Sequence, residues 1–163
     1  MEAFYSGLID VIDITENQKK TTQPHSLTTV IDAVFETEYD TRVDRLKSPA
    51  NVYGPYRNKA SIGVKAVWDT GSRTSCISRR LAKELDLQET GRMTVITPSG
   101  TIEMPVHRID LVLWEDLSFN DLAVIEYPLE NHDCDILIGM DVISRGRLTV
   151  DSREGKTRIT FSL

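Results

Sequence analysis

The chain has few cysteines, no excess of positive charge and no long apolar run, and each shortage removes a class of protein. Cys76 and Cys134 are the only cysteines in 163 residues. Two thiols so far apart cannot build the disulfide framework of a small secreted domain, and both read as small buried apolar side chains. Lys and Arg number 19 against 25 Asp and Glu, a net charge of −6. A phosphate-binding surface needs clustered cations, so nucleic acid is not an expected partner. No apolar stretch reaches the roughly 20 residues that a membrane-spanning helix needs, so no membrane contact is expected. The opening Met1-Glu2-Ala3-Phe4-Tyr5-Ser6 lacks a basic segment leading into an apolar one. No secretory signal is expected there, and a cytoplasmic location is the default. Internal repeats and low-complexity tracts are missing as well.

What remains is an ordinary globular composition, 40% hydrophobic and 27% charged, of a length that suits one domain with a respectable core. The first third carries the weakest signals. Leu8 to Ile14 reads as a strand, and Leu27 to Phe35 fits either a helix face or a strand face, with its β-branched residues favouring strand. Glu36 to Ser48 is charged and expected to be exposed, with Pro49 ending it. Val52 to Tyr56 reads as a short strand and turn, and Arg57-Asn58-Lys59 as a hairpin connection.

From residue 60 the pattern sharpens. Ile62 to Trp68 is a strand that loses its polar alternation towards its end, as expected on entering a core. Thr74 to Ile77 reads as a short strand. Ser78 is an N-cap for a helix through Leu87, with Leu81 and Leu85 on one face and Arg79 and Lys83 in water. Met93 to Thr97 and Thr101 to Val106 flank Pro98-Ser99-Gly100 as a hairpin, and Pro105 places that arm at a sheet edge. Arg108 to Trp114 and Leu122 to Ile125 are further strands. Asp135 to Gly139 is a second buried strand, Met140 to Ser144 starts a short helix stopped by Gly146, and Arg147 to Val150 and Thr157 to Phe161 close the chain. Many short strands with two short helices define an all-β domain.

Chemistry concentrates at Asp69-Thr70-Gly71-Ser72. An apolar strand delivers one carboxylate towards the interior, where the ionised form is disfavoured unless its charge is neutralised or shared with a second carboxylate. Thr70 offers a hydroxyl to tie the turn down, and Gly71 allows close backbone approach. A second apolar strand, Ile136-Leu137-Ile138, also runs into a glycine, Gly139, about seventy residues after Asp69 with a helix and a hairpin between.

In this order of features the chain resembles the retropepsin-like aspartic proteases. Gly139-Met140-Asp141-Val142-Ile143-Ser144-Arg145-Gly146 looks like the bacterial members of that group. The resemblance covers roughly residues 60 to 163 and implies a single-domain, closed β-barrel with a flap hairpin and two short helices, working as a homodimer. It assigns catalysis to Asp69, support of the catalytic loop to Thr70, Gly71 and Ser72, and substrate binding at the flap to Thr97, Pro98, Ser99, Gly100 and Thr101. The implied substrate is a polypeptide, and the implied chemistry uses no metal and no cofactor. Only one Asp-Thr-Gly occurs, so the second carboxylate has to come from an identical chain. One departure stands out: viral members usually carry Arg after the second glycine, and here it is Met140. The alternative of another class is a catalytically silent, dimeric peptide- or protein-binding module of the same fold.

Residues 1–59 lie outside the resemblance, as an N-terminal extension or extra strands, and their extra length raises the hypothesis of an inhibitory or self-cleaved segment. Asp141 reads as a helix-start cap, and Asp135 as a turn cap or the partner of an Arg. His132 with Cys134 lacks a second ligand pair for a metal. His25 and His107 read as surface or strand residues with no role, and Trp68 as core.

Overall fold

The computed structural model describes residues 33–163 apart from 58–59, 98–99, 115–116 and 130–131. The expected strand at Leu8 to Ile14, His25 and most of the Leu27 to Phe35 segment lie outside the described residues. Ten strands and two α-helices follow in order. They are β1 (Val34–Tyr39), β2 (Lys47–Tyr53), β3 (Ile62–Trp68), β4 (Cys76–Ser78), α1 (Arg79–Glu84), β5 (Gly91–Thr97), β6 (Gly100–Trp114), β7 (Leu117–Tyr127), β8 (Ile136–Ile138), α2 (Met140–Ile143), β9 (Arg147–Asp151) and β10 (Thr157–Ser162).

Strands β2-β3-β8-β4-β7-β6 are hydrogen-bonded in that order, and pairing of β2 with β6 closes them into a barrel. Strand β5 pairs with β6 beyond the barrel wall. A separate three-stranded sheet has the order β1-β10-β9. Closure removes edges that would otherwise leave backbone groups unpaired. The fold is all-β and retropepsin-like, with the flap hairpin in β5–β6 and the two helices short.

Alternation sets which residues fill the barrel. In β3, Val64, Ala66 and Trp68 are buried, and in β8 Ile136 and Ile138 are fully so. Trp68 does belong to the core: its ring centroid lies 5.2 Å from that of Phe161 on β10 and 6.1 Å from that of Phe35 on β1. The second sheet is therefore packed on the strand that ends at Asp69.

Several local expectations change. Glu36 to Ser48 is not one exposed charged stretch, because it contains β1 and the start of β2; Glu36 and Glu38 face outward beside Arg158 of β10. Pro49 lies inside β2 opposite Lys65, and β2 meets β6 only from Asn51 onward, so the missing proline N–H faces no partner there. Thr101–Val106 and Arg108–Trp114 are one strand, β6, whose pairing with β7 shifts between Ile109 and Leu111. Pro105 occupies the flap arm just before that pairing starts at Val106. Helix α1 is capped as expected, Ser78 Oγ accepting from Leu81 N–H at 3.1 Å, but ends at Glu84, with Asp86 at φ 53° turning the chain. No helix among the described residues is long and apolar enough to cross a membrane.

Candidate active site

Strand β3 runs parallel to β8, with Trp68 opposite Ile138, and this brings the two glycine-ended strands side by side. The turn begins where β3 stops: Asp69 N–H donates to Ile138 O at 2.9 Å, and Ser72 N–H to Asp69 O at 3.2 Å. Asp69 is half-buried, less enclosed than its apolar approach suggests. Its Oδ1 accepts from Gly71 N–H at 2.8 Å, and its Oδ2 takes no hydrogen bond among the described residues. A β-carbon on Gly71 would sit 3.1 Å from that Oδ1, so a side chain there would press on the carboxylate.

Thr70 is exposed and its hydroxyl has no partner among the described residues, so within one chain it does not hold the turn. The backbone does that instead. Met140 N–H donates to Ser72 O at 2.8 Å and Asp141 N–H to Arg73 O at 3.2 Å, while Ser72 Oγ closes on Thr74 O at 2.8 Å. Gly139 is required by contact: a β-carbon there would lie 2.8 Å from Thr74 C and 3.0 Å from Ser72 O, both backbone atoms. The segment leaving Asp69 and the segment entering α2 touch main chain to main chain.

Sequence reasoning missed Ser75, fully buried beside this seam. Its N–H and Oγ–H donate to the two oxygens of Asp141 at 3.0 and 2.7 Å, and its Oγ accepts from Gly139 N–H at 3.0 Å. Asp141 is thus not the cap of α2; Gly139 is the N-cap residue, without a side-chain bond. No local pattern marks Ser75, since its partner lies 66 positions away. The Cys76 thiol lies near both carboxylates. Burial, then the charges of Asp141 and Asp69, push its pKa up to about 12.

Asp135 pairs with Arg80 and also accepts from Lys65 N–H at 3.1 Å, tying α1 to β3. His107 is buried in β6, its Nδ1 3.0 Å from Gln88 O and its Nε2 3.1 Å from Glu126 Oε2. His132 is exposed and Cys134 buried, and among the described residues no group of three or more His, Cys, Asp or Glu side chains is arranged to hold a metal ion.

On the hairpin, Met93 pairs with Met104 and Val95 with Ile102, which gives one face an apolar surface. Thr97, Gly100 and Thr101 lie at its end, Gly100 at φ +127°, where a side chain is strained; Pro98 and Ser99 lie outside the described residues.

A parallel pair of glycine-ended strands, an Asp-Thr-Gly turn braced between them and a hairpin on a closed barrel define the fold of an aspartic protease of the retropepsin type. The chain belongs to the aspartyl protease family, whose model matches residues 57–142. Among solved structures it is similar to a retropepsin-like aspartic protease from Rickettsia conorii, at 15% identity and a TM-score of 0.52, over 80% of this chain and 94% of that one. The retroviral protease-like domain of Ddi1 from Leishmania major matches at 19% identity and a TM-score of 0.46, over 74% of this chain and 95% of that one. The protease of Simian Foamy Virus (mac) matches at 16% and 0.42, over 61% of this chain and 92% of that one. No curated protein matches.

Proposed function

We propose that the chain is an aspartic endopeptidase that hydrolyses polypeptides as a homodimer. The observation that carries this reading is the asymmetry between two carboxylates at one seam. Among the described residues Asp69 Oδ2 takes no hydrogen bond, whereas both oxygens of Asp141 are taken by Ser75. A dyad that shares one proton needs two available carboxylates, and this seam offers one. A second copy meeting the first across a two-fold axis supplies the other. The exposed Thr70 hydroxyl, without a partner among the described residues, then has one in the neighbouring copy's turn.

In the dimer the two Asp69 carboxyls hold one proton and a water molecule. The ionised one takes a proton from water as its oxygen bonds to the peptide carbonyl carbon; the protonated one donates to the developing oxyanion. Collapse of the tetrahedral species breaks the C–N bond: the amine leaves with the proton that the first carboxyl took from water, and the second carboxyl recovers its own as the carbonyl re-forms. Gly71 backbone and the flap residues Thr97 to Thr101 bind the substrate as an added strand, with closure of the hairpin excluding water. This chemistry calls on neither metal nor cofactor. On this reading residues 60–163 hold the peptidase machinery, but strands β1 and β2 complete the fold from residues before 60. Any self-cleaved or inhibitory segment would have to end before Val34 to spare them. The free thiols of Cys76 and Cys134 suit a reducing cytoplasm.

The test is cleavage of an unstructured peptide pool. We expect activity strongest at mildly acidic pH, blocked by a statine-type peptide, lost in Asp69→Asn and found only in the dimer by sedimentation. Cleavage that survives Asp69→Asn overturns the assignment. A dimer that binds peptide and never cuts it establishes the binding-module reading instead.

A further inference from the structure

We propose that Asp141, acting through Ser75, is a positioning residue for Asp69: the pair sets the angle at which the turn presents its carboxylate. The inference rests on the reading of this chain as a peptidase.

Helix α2 is four residues long, and Asp141 stands at its second position. An aspartate in a first turn ordinarily faces its own helix's free N–H groups. This one faces away, and Ser75 takes both of its oxygens. The Ser75 hydroxyl has a single proton. Because that proton goes to Asp141, the lone pairs of Oγ are left for Gly139 N–H. An ionised carboxylate accepts only, so it dictates this orientation of the hydroxyl; an amide would not. The three groups form a clasp between the segment leaving Asp69 and the segment leaving β8.

The clasp matters because, among the described residues, the Asp69 side chain has only one bond, from Gly71 N–H within the same turn. Its direction is therefore set by the backbone of the turn. That backbone is held at entry by Asp69 N–H on Ile138 O, and at exit by the Ser72, Arg73 and Ser75 contacts with residues 139–141. Asp141 is itself steadied: its carbonyl accepts from Arg145 Nε at 2.7 Å, and the Arg145 guanidinium lies over the Phe119 ring, 5.6 Å from its centroid. A displacement of about 1 Å at a reacting group costs on the order of 10²-fold in rate. Loosening the exit of the turn should thus lower turnover while leaving peptide binding along the flap and barrel largely intact.

Asp141→Asn keeps the shape of the side chain and exchanges one acceptor for a donor. Either Ser75 N–H then meets an NH₂ group, or the amide turns round and the Ser75 proton loses its acceptor in a buried place. The experiment measures, in the full chain, kcat per active site titrated with a statine-type peptide, together with KM, on a peptide that the wild type cleaves. We expect kcat per titrated site to fall on the order of 10²-fold in Asp141→Asn, with KM within about two-fold. Asp141→Glu should not rescue it, since the carboxylate is moved by a methylene. Ser75→Ala should fall similarly, and the double variant should be no worse than the poorer single one, because the two residues act as a unit.

An unchanged kcat per titrated site overturns the proposal, including the case in which only the melting temperature and the number of titratable sites drop, since that is the mark of a purely structural role. If Asp141→Asn does not fold, Ser75→Ala decides; if neither folds, the role is structural and the proposal falls. A folded wild type that cleaves nothing overturns the peptidase reading and this inference with it, whereas cleavage that the variants leave untouched overturns this inference alone.

Discussion

Trp68 Nε1 donates to Ser48 Oγ at 3.0 Å, both side chains buried, and this bond joins β2 to the last residue before Asp69. An indole N–H inside a core needs an acceptor, and the barrel supplies it from a strand 20 positions earlier. The same ring packs between Phe35 and Phe161. The strand that delivers the catalytic candidate is thus anchored by one aromatic side chain with a fixed tilt.

Ser48→Ala leaves that indole N–H without a partner. We expect a loss of about 1–3 kcal/mol, the cost of an unmet buried donor, read as a lower urea midpoint at unchanged m-value. In a Trp68→Phe background, where the donor is gone, the same Ser48→Ala change should cost much less. Equal costs in both backgrounds would show that the bond contributes nothing.

Two glycines make opposite predictions. At Gly139 a β-carbon would meet Thr74 C at 2.8 Å and the Ser72 and Thr74 oxygens at 3.0 Å, whereas at Gly91 it would meet nothing within 4 Å. Main chain cannot swing aside as a side chain does. Gly139→Ala should therefore destabilise by about 1–3 kcal/mol or more and abolish cleavage, because the displaced atoms belong to the turn. Gly91→Ala, at the base of the flap, should melt within a few degrees of wild type, a shift that scanning calorimetry resolves. Equal behaviour of the two variants would refute the close approach.

The difference between what the sequence discloses and what it hides follows the range of the interactions. The Asp69 turn, the Ser78 cap and the strand ending in Gly139 are written in a few consecutive residues, so the fold class and the candidate site were readable. The Ser75–Asp141 clasp joins residues 66 positions apart, and a serine inside Thr74-Ser75-Cys76-Ile77 carries no local mark of it. Pro49 misled because a proline tolerated on an unpaired side looks, in one dimension, like a terminator. Strand β6 looked like two strands because the polar pair His107-Arg108 interrupts its apolar run, although His107 is buried inside the strand. The N-terminal strands β1 and β2 were hard to place because their partners, β10, β3 and β6, all lie later in the chain.

Acid is the condition the proposed chemistry favours, and Asp133 bears on whether the barrel tolerates it. This residue, in the loop before β8, bridges Lys65 of β3 at 2.8 Å and Lys47 of β2 at 3.0 Å. The bond from Lys65, then that from Lys47, and their positive charges lower its pKa from 3.8 to about 2. A folded-state pKa held below the unfolded one gives a contribution that is complete above about pH 4 and fades as pH falls through about 2. The bridge is thus intact through the mildly acidic range in which cleavage is expected. Because the group is exposed, salt screens its contribution. Urea midpoints of wild type and Asp133→Asn should differ above about pH 4, converge towards about pH 2, and lie closer together in high salt. A gap that stays constant down to pH 2, or that widens on acidification, would assign the loss to something other than this charge and remove the bridge as a reason for acid tolerance.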